Sequence, residues 1–151
     1  MNHKRDPGGA TMRGVTKRVY EKFLGRSVSI DELKAIPDAH VRQIYKEGYW
    51  DKVRGDDLPL GVDLIIFDIA INSGPSRAIK FLQDSVETTK DGIIGPQTIK
   101  ETLDTDEEWL IEDIFIQRQE FYESLDTFDV FGRGWTSRNN KTFKLATEMI
   151  V

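Results

Sequence analysis

The sequence predicts a mainly α-helical single domain with at most a small β-hairpin, and the helical part of that expectation rests on three observations. Apolar residues recur three and four positions apart in nearly every segment, the spacing that lines one face of a helix. Strict alternation of apolar and polar residues, the mark of a half-buried strand, is nearly absent. Helix-capping residues and helix breakers alternate along the chain at helical lengths. With 151 residues and no repeat or low-complexity tract, the chain is long enough to bury a core without staples.

Thr16 is placed to cap a helix over "KRVYEKFL", where Val19, Phe23 and Leu24 share a face and Gly25 stops it. Ser29 or Asp31 starts a short helix that Pro37 ends. Asp38 then caps "AHVRQIYKEGYW", with Val41, Ile44 and Tyr45 on one side. "LPLGVDLIIFDIAINSG" is the most apolar piece and is expected as the central buried helix, closed by Asn72-Ser73-Gly74. Pro75 suits the first turn of the next helix, "SRAIKFLQDSV". "KDGIIGPQT" reads as a tight turn or small ribbon before a helix starting near Pro96, so any hairpin is expected around residues 88–95. Asp106 caps a long helix with the stripe Leu110, Ile114, Phe121, Leu125 and Phe128. The glycines of "FGRGW" are expected to form a loop before a last helix at 137–149, with Trp135 in the core and Arg133 and Arg138 paired with the acidic long helix.

Composition narrows function. The net charge of −5 argues against nucleic acid as a partner, which selects basic domains. The charge is uneven: residues 1–26 carry seven Lys/Arg against two acids, and residues 101–129 carry eleven acids against Arg118. No stretch approaches the ~20 apolar residues of a membrane span, so no stable membrane insertion is expected, and the first residues lack the apolar run of a signal peptide. With no cysteine and only His3 and His40, thiolate and multi-histidine metal sites are excluded and a Ser-His-Asp triad is disfavoured. No phosphate-binding glycine motif occurs. Carboxylates, hydroxyls, amides and aromatics remain, the inventory of a site that cleaves carbohydrate.

Four blocks then carry a resemblance: "DPGGATMRGVT", "YWDKVRGDDLPLGVDLIIFDIAINSGPSRAIKFLQ", "DGIIGPQT" and "FGRGWTSR". In this order they resemble the glycoside hydrolase family 108 N-acetylmuramidases with their peptidoglycan-binding-like C-terminal portion, a family of phage endolysins and related bacterial proteins, some labelled secretion activators. The similarity runs from Asp6 to about Thr147. It implies a single lysozyme-like domain over 1–151, with a muramidase-like lobe over 1–74 and a peptidoglycan-binding-like helical lobe over 75–151, and hydrolysis of the β-1,4 bond between N-acetylmuramic acid and N-acetylglucosamine. The partners implied are peptidoglycan glycan strands. No cofactor or metal is implied, and a protein made in the cytoplasm would act on the cell wall.

The family pattern opens with Glu-Gly-Gly, whose glutamate is the general acid. Counted back nine positions from Asp6, it falls four positions before Met1, outside this sequence. Asp6-Pro7-Gly8-Gly9 therefore looks like the second half of an active-site loop. Asp6 is expected to orient the attacking water or steady the oxocarbenium charge, with Thr11 helping to hold the water, and inversion is expected over retention. Thr16 matches a family threonine, but its position reads first as a helix cap. Tyr49 and Trp50 are candidates for a sugar platform or for core, and Asn72 for a donor to a sugar N-acetyl group or a helix cap. Glu47, the only glutamate near that aromatic pair, reads as an exposed helix-face residue. A protein lacking the acid could instead be a non-catalytic peptidoglycan binder or a phage or secretion-system interaction protein.

Overall fold

The structure, a computed structural model, describes residues 11–150 of the chain, which divides into two compact units, Met1–Gly48 and Tyr49–Val151. In the first unit, β1 (Thr11–Met12) and β2 (Val15–Thr16) pair antiparallel. The two-residue turn between them has both φ angles positive, Arg13 at 56° and Gly14 at 80°, as a tight hairpin requires. Glycine is needed at the second position because a Cβ there would lie 2.3 Å from the Tyr45 hydroxyl, which donates to the Arg13 carbonyl at 2.6 Å. α1 (Lys17–Leu24) starts from Thr16, whose hydroxyl accepts from Val19 N, and stops at Gly25. α2 (Ile30–Lys34) opens with a capping box in which Ser29 and Glu32 satisfy each other's backbone. α3 (Asp38–Tyr45) completes the unit, whose core is Val15, Tyr20, Val28, Leu33, Ile36, Val41 and Ile44.

A π-helical turn, Lys46–Trp50, carries the chain across the boundary. In the second unit, α4 (Val62–Ser73) is the centre, with Val62, Ile65, Ile66, Ile69 and Ala70 fully buried. Such residues contribute roughly 1.5–3 kcal/mol each for the larger side chains. α5 (Pro75–Ser85), α7 (Glu107–Ser124) and α8 (Phe128–Met149) pack around it, and α6 (Pro96–Leu103) packs on α5. The N-cap of α7 is Asp106, accepting from Trp109 N at 2.9 Å.

The expected fold class holds: the described residues are mainly helical with one small hairpin. Its position does not, since the strands lie at 11–16 and residues 88–95 form none. There, the buried Gln83 side chain takes the backbone groups a ladder would use: its Oε1 accepts from Gly92 N at 3.0 Å and its Nε2 donates to the Ile93 carbonyl at 3.0 Å. Nor is "FGRGW" a loop. α8 runs through it, and Gly132 lies so close to the Phe128 ring one turn back that a Cβ would sit 2.8 Å from its carbons. Pro37, not Asp38, holds the N-cap position of α3, and Asp38 pairs with Arg13 instead. Arg138 meets Asp68 of α4.

Candidate functional site

Three helices of the second unit each place two polar residues four positions apart on one face: Asp68 and Asn72 on α4, Arg118 and Tyr122 on α7, Arg138 and Thr142 on α8. They meet in one network. Asp68 Oδ2 lies 2.8 Å from Nη1 of the fully buried Arg118, and Arg138 donates Nε and Nη2 to the Asp68 carboxylate at 2.8–3.2 Å. Thr142 adds a hydroxyl at 3.1 Å. Burial pushes the Asp68 carboxyl up, but the hydrogen bonds of Arg138 and the charges of Arg118 and Arg138 outweigh it and hold the group below its ordinary range. The contact of Arg118 Nη1 with Asp68 is an ion pair without hydrogen-bond alignment, and Nη2 has no hydrogen-bond partner among the described residues. Arg118 is therefore tied to its surroundings by charge and by its Nε.

The network continues to a surface cleft. Arg118 Nε donates to the Tyr122 hydroxyl at 2.8 Å, and that hydroxyl donates to Asn72 Oδ1, which Ser73 Oγ also approaches at 3.3 Å. An arginine side chain can only donate, so the Tyr122 oxygen is an acceptor toward it and its own proton goes to Asn72. Asn72 must then turn its oxygen inward. Its Nδ2 amide has no partner among the described residues.

Asn72, Ser73 and Arg77 line a cleft of about 240 Å³, with Phe121, Tyr122 and Trp135 as its aromatic lining. That is below the roughly 300–1,000 Å³ of sites for whole small molecules and suits one residue of a polymer. Trp135 stacks on Tyr122 with ring centres 5.1 Å apart and planes 19° apart, so it is half-buried at the cleft rather than enclosed in the core. The exposed Arg77 guanidinium sits 4.2 Å from the Phe121 ring centre, and no carboxylate pairs with it among the described residues. A larger depression of about 550 Å³ lies beside Lys52, Arg54 and Ser76, but none of the expected site residues lines it and Arg54 is already paired with Asp57 at 2.9 Å.

The other expected site residues fall as follows. Asp6 and its Pro-Gly-Gly turn lie outside the described residues. The backbones of Thr11 and Thr16 are direct cross-strand partners in the first unit, and the Thr16 side chain caps α1. Glu47 is exposed and accepts from Gln43 at 3.2 Å. Tyr49 packs against the core of the second unit, its hydroxyl pKa pushed up by burial. Trp50 donates its indole N–H to Asp56 at 3.0 Å, covers Gly55 and meets Phe67 of α4 edge-on at 5.2 Å. Phe67 and Asn72 are five residues apart, roughly 140° round the helix, so Trp50 and Asn72 engage different faces of α4. The charged residues Asp68, Arg118 and Arg77 were not among the expected site residues. For Asp68 and Arg118 the signal was a polar partner four positions on, Asn72 and Tyr122, and Arg77 has no such partner.

Comparison with known proteins gives three findings. Residues 1–74 match the family described as glycosyl hydrolase 108, and residues 77–140 match one described as a predicted peptidoglycan domain. The solved structure of Brucella abortus SagA is similar to this chain at 41% identity, over 99% of this chain and 86% of that one, with a TM-score of 0.93. No curated protein matches.

Proposed function

The chain belongs to the glycosyl hydrolase 108 family, and from that premise we propose that it is an N-acetylmuramidase of the endolysin type, cleaving the β-1,4 bond between N-acetylmuramic acid and N-acetylglucosamine in bacterial cell walls. Family membership makes it a glycoside hydrolase, and the second match makes peptidoglycan its partner. The observation that carries the finer reading is the order of the two matches on one short chain: a glycosidase segment followed directly by a peptidoglycan segment.

In this reading the general acid is the glutamate that the family pattern places ahead of Asp6, and it protonates the leaving glycosidic oxygen. Asp6 and Thr11 hold the water that attacks the anomeric carbon from the opposite face, which gives inversion. Asn72 donates its unpartnered amide to a sugar acetamido carbonyl. Thr16 contributes by fixing the start of α1 behind the loop. Tyr49 and Trp50 supply apolar surface to the glycan.

A general acid is worth typically 10²–10⁴-fold in rate. Turbidity loss of a peptidoglycan suspension is therefore expected from a chain extended upstream through Glu-Gly-Gly, little from residues 1–151, and little from the extended chain with that Glu changed to Gln. Strong lysis by residues 1–151 that Glu47→Gln abolishes would move the acid to Glu47. Binding without lysis by all three proteins would replace the hydrolase with a non-catalytic peptidoglycan binder.

A further inference from the structure

The geometry points to the cleft between Asn72 and Arg77 as a two-point reader of stem-bearing N-acetylmuramic acid, in which Asn72 takes an acetamido carbonyl and Arg77 takes a carboxylate of the attached peptide. The inference rests on the peptidoglycan reading above and deepens it, because it distinguishes the peptide-bearing wall polymer from a neutral N-acetylglucosamine polymer.

Two features of the cleft are unspent. One is the Asn72 Nδ2 donor, whose outward direction is dictated by the buried Arg118 through the Tyr122 hydroxyl. A donor fixed in this way selects a carbonyl or ether oxygen and rejects an ammonium. The other is Arg77, a charge with no counter-ion among the described residues, held over Phe121 in the lining of the same small cleft. A planar guanidinium matches a carboxylate with two parallel hydrogen bonds. The stacked Trp135 and Tyr122 rings supply apolar surface in the same cleft. A neutral glycan has no group that answers Arg77, whereas a muramyl peptide carries both groups, a carbonyl on the sugar's acetamido group and a carboxylate on the attached peptide.

Tyr122 keeps its proton in this role: burial pushes the phenol up, and Arg118 only partly opposes it. Arg118 is thus a positioning residue, reaching the ligand's carbonyl acceptor only through Tyr122 and Asn72, and the Tyr122 hydroxyl acts in the same way.

The test is calorimetric binding to the 151-residue chain of three probes: a disaccharide–tetrapeptide muropeptide, triacetylchitotriose, and the free stem peptide. The muropeptide is expected to bind tightest. Arg77→Gln is expected to weaken the muropeptide about 10- to 100-fold, the worth of one charged hydrogen bond, while leaving chitotriose unchanged and flattening the salt dependence. Asn72→Asp, which keeps the fold's acceptor but loses the donor, is expected to weaken both sugars and spare the peptide. Equal wild-type affinity for muropeptide and chitotriose, or an Arg77→Gln variant that binds the muropeptide like wild type, overturns the inference. Release of reducing ends by the upstream-extended chain separates the two claims. Cleavage without Arg77-dependent selectivity sinks only the reader, and selectivity without cleavage sinks only the hydrolase.

Discussion

Asp68 is the residue on which the second unit's polar interior depends, since it accepts from Arg138 and Thr142 and neutralises the fully buried Arg118. Removing one partner of a buried ion pair costs about 3–5 kcal/mol because the other charge is stranded. Asp68→Asn is therefore expected to lose that much stability in urea unfolding. Arg138→Gln, whose partner charge is still met by Arg118 and whose own side chain is 40% exposed, is expected to lose at most about 1 kcal/mol. The same carboxyl sets a pH dependence. Its folded pKa is lowered from 3.8, so the folded state favours the ionised form; the gain is present above pH 3.8 and is lost as pH falls through the lower folded value. Melting temperature against pH is expected to fall below pH 3.8 more steeply for wild type than for Asp68→Asn; parallel curves would refute it. Asn72 was legible in the sequence as a donor at a helix end, but Arg118 was not. A lone arginine in an acidic helix reads as a surface charge, and only the neighbouring helices turn that face inward.

At the scale of elements, caps and stops were legible because they are local: Thr16, Ser29 and Asp106 act on backbone within three residues. Two misreadings have a shared cause, a long-range partner that local chemistry does not reveal. The hairpin expected at 88–95 is replaced by a loop wrapped on Gln83, and the Gly-rich stretch read as a loop is the first half of α8. That second case gives a paired test. In a helix interior Gly→Ala ordinarily stabilises by roughly 0.5–1 kcal/mol. Gly134 has open space around it, so Gly134→Ala is expected to gain that amount. At Gly132 the new Cβ would press on the Phe128 ring, so Gly132→Ala is expected to lose roughly 1–3 kcal/mol despite the better helix former. Thermal unfolding of both variants decides it. If both stabilise, the ring does not hold the glycine in place.

At the scale of the whole molecule, the division at Gly48 sets what each part can do alone. The larger core, from Val53 to Ile150, draws every one of its members from the second unit, as do all residues of the Asn72–Arg77 cleft. Because the members of that core all come from one unit, residues 49–151 are expected to fold when produced separately. Their unfolding enthalpy should scale with length, about 0.7 kcal/mol per residue or roughly 70 kcal/mol near 60 °C. Residues 1–48 fall near the size at which a core of a few apolar side chains does not offset the conformational entropy of the chain, and are expected to be unfolded alone. The function divides along the same line. The fragment 49–151 should bind the muropeptide as the whole chain does, because Asn72, Arg77, Arg118, Tyr122 and Trp135 are all present. It should release no reducing ends from cell walls even with an upstream extension supplied as a separate peptide, because Asp6 and Thr11 are absent. Calorimetry of the fragment is the decisive measurement. A broad, non-cooperative melt would show that the second unit needs the first to close its core, and a sharp melt without muropeptide binding would place the binding surface elsewhere.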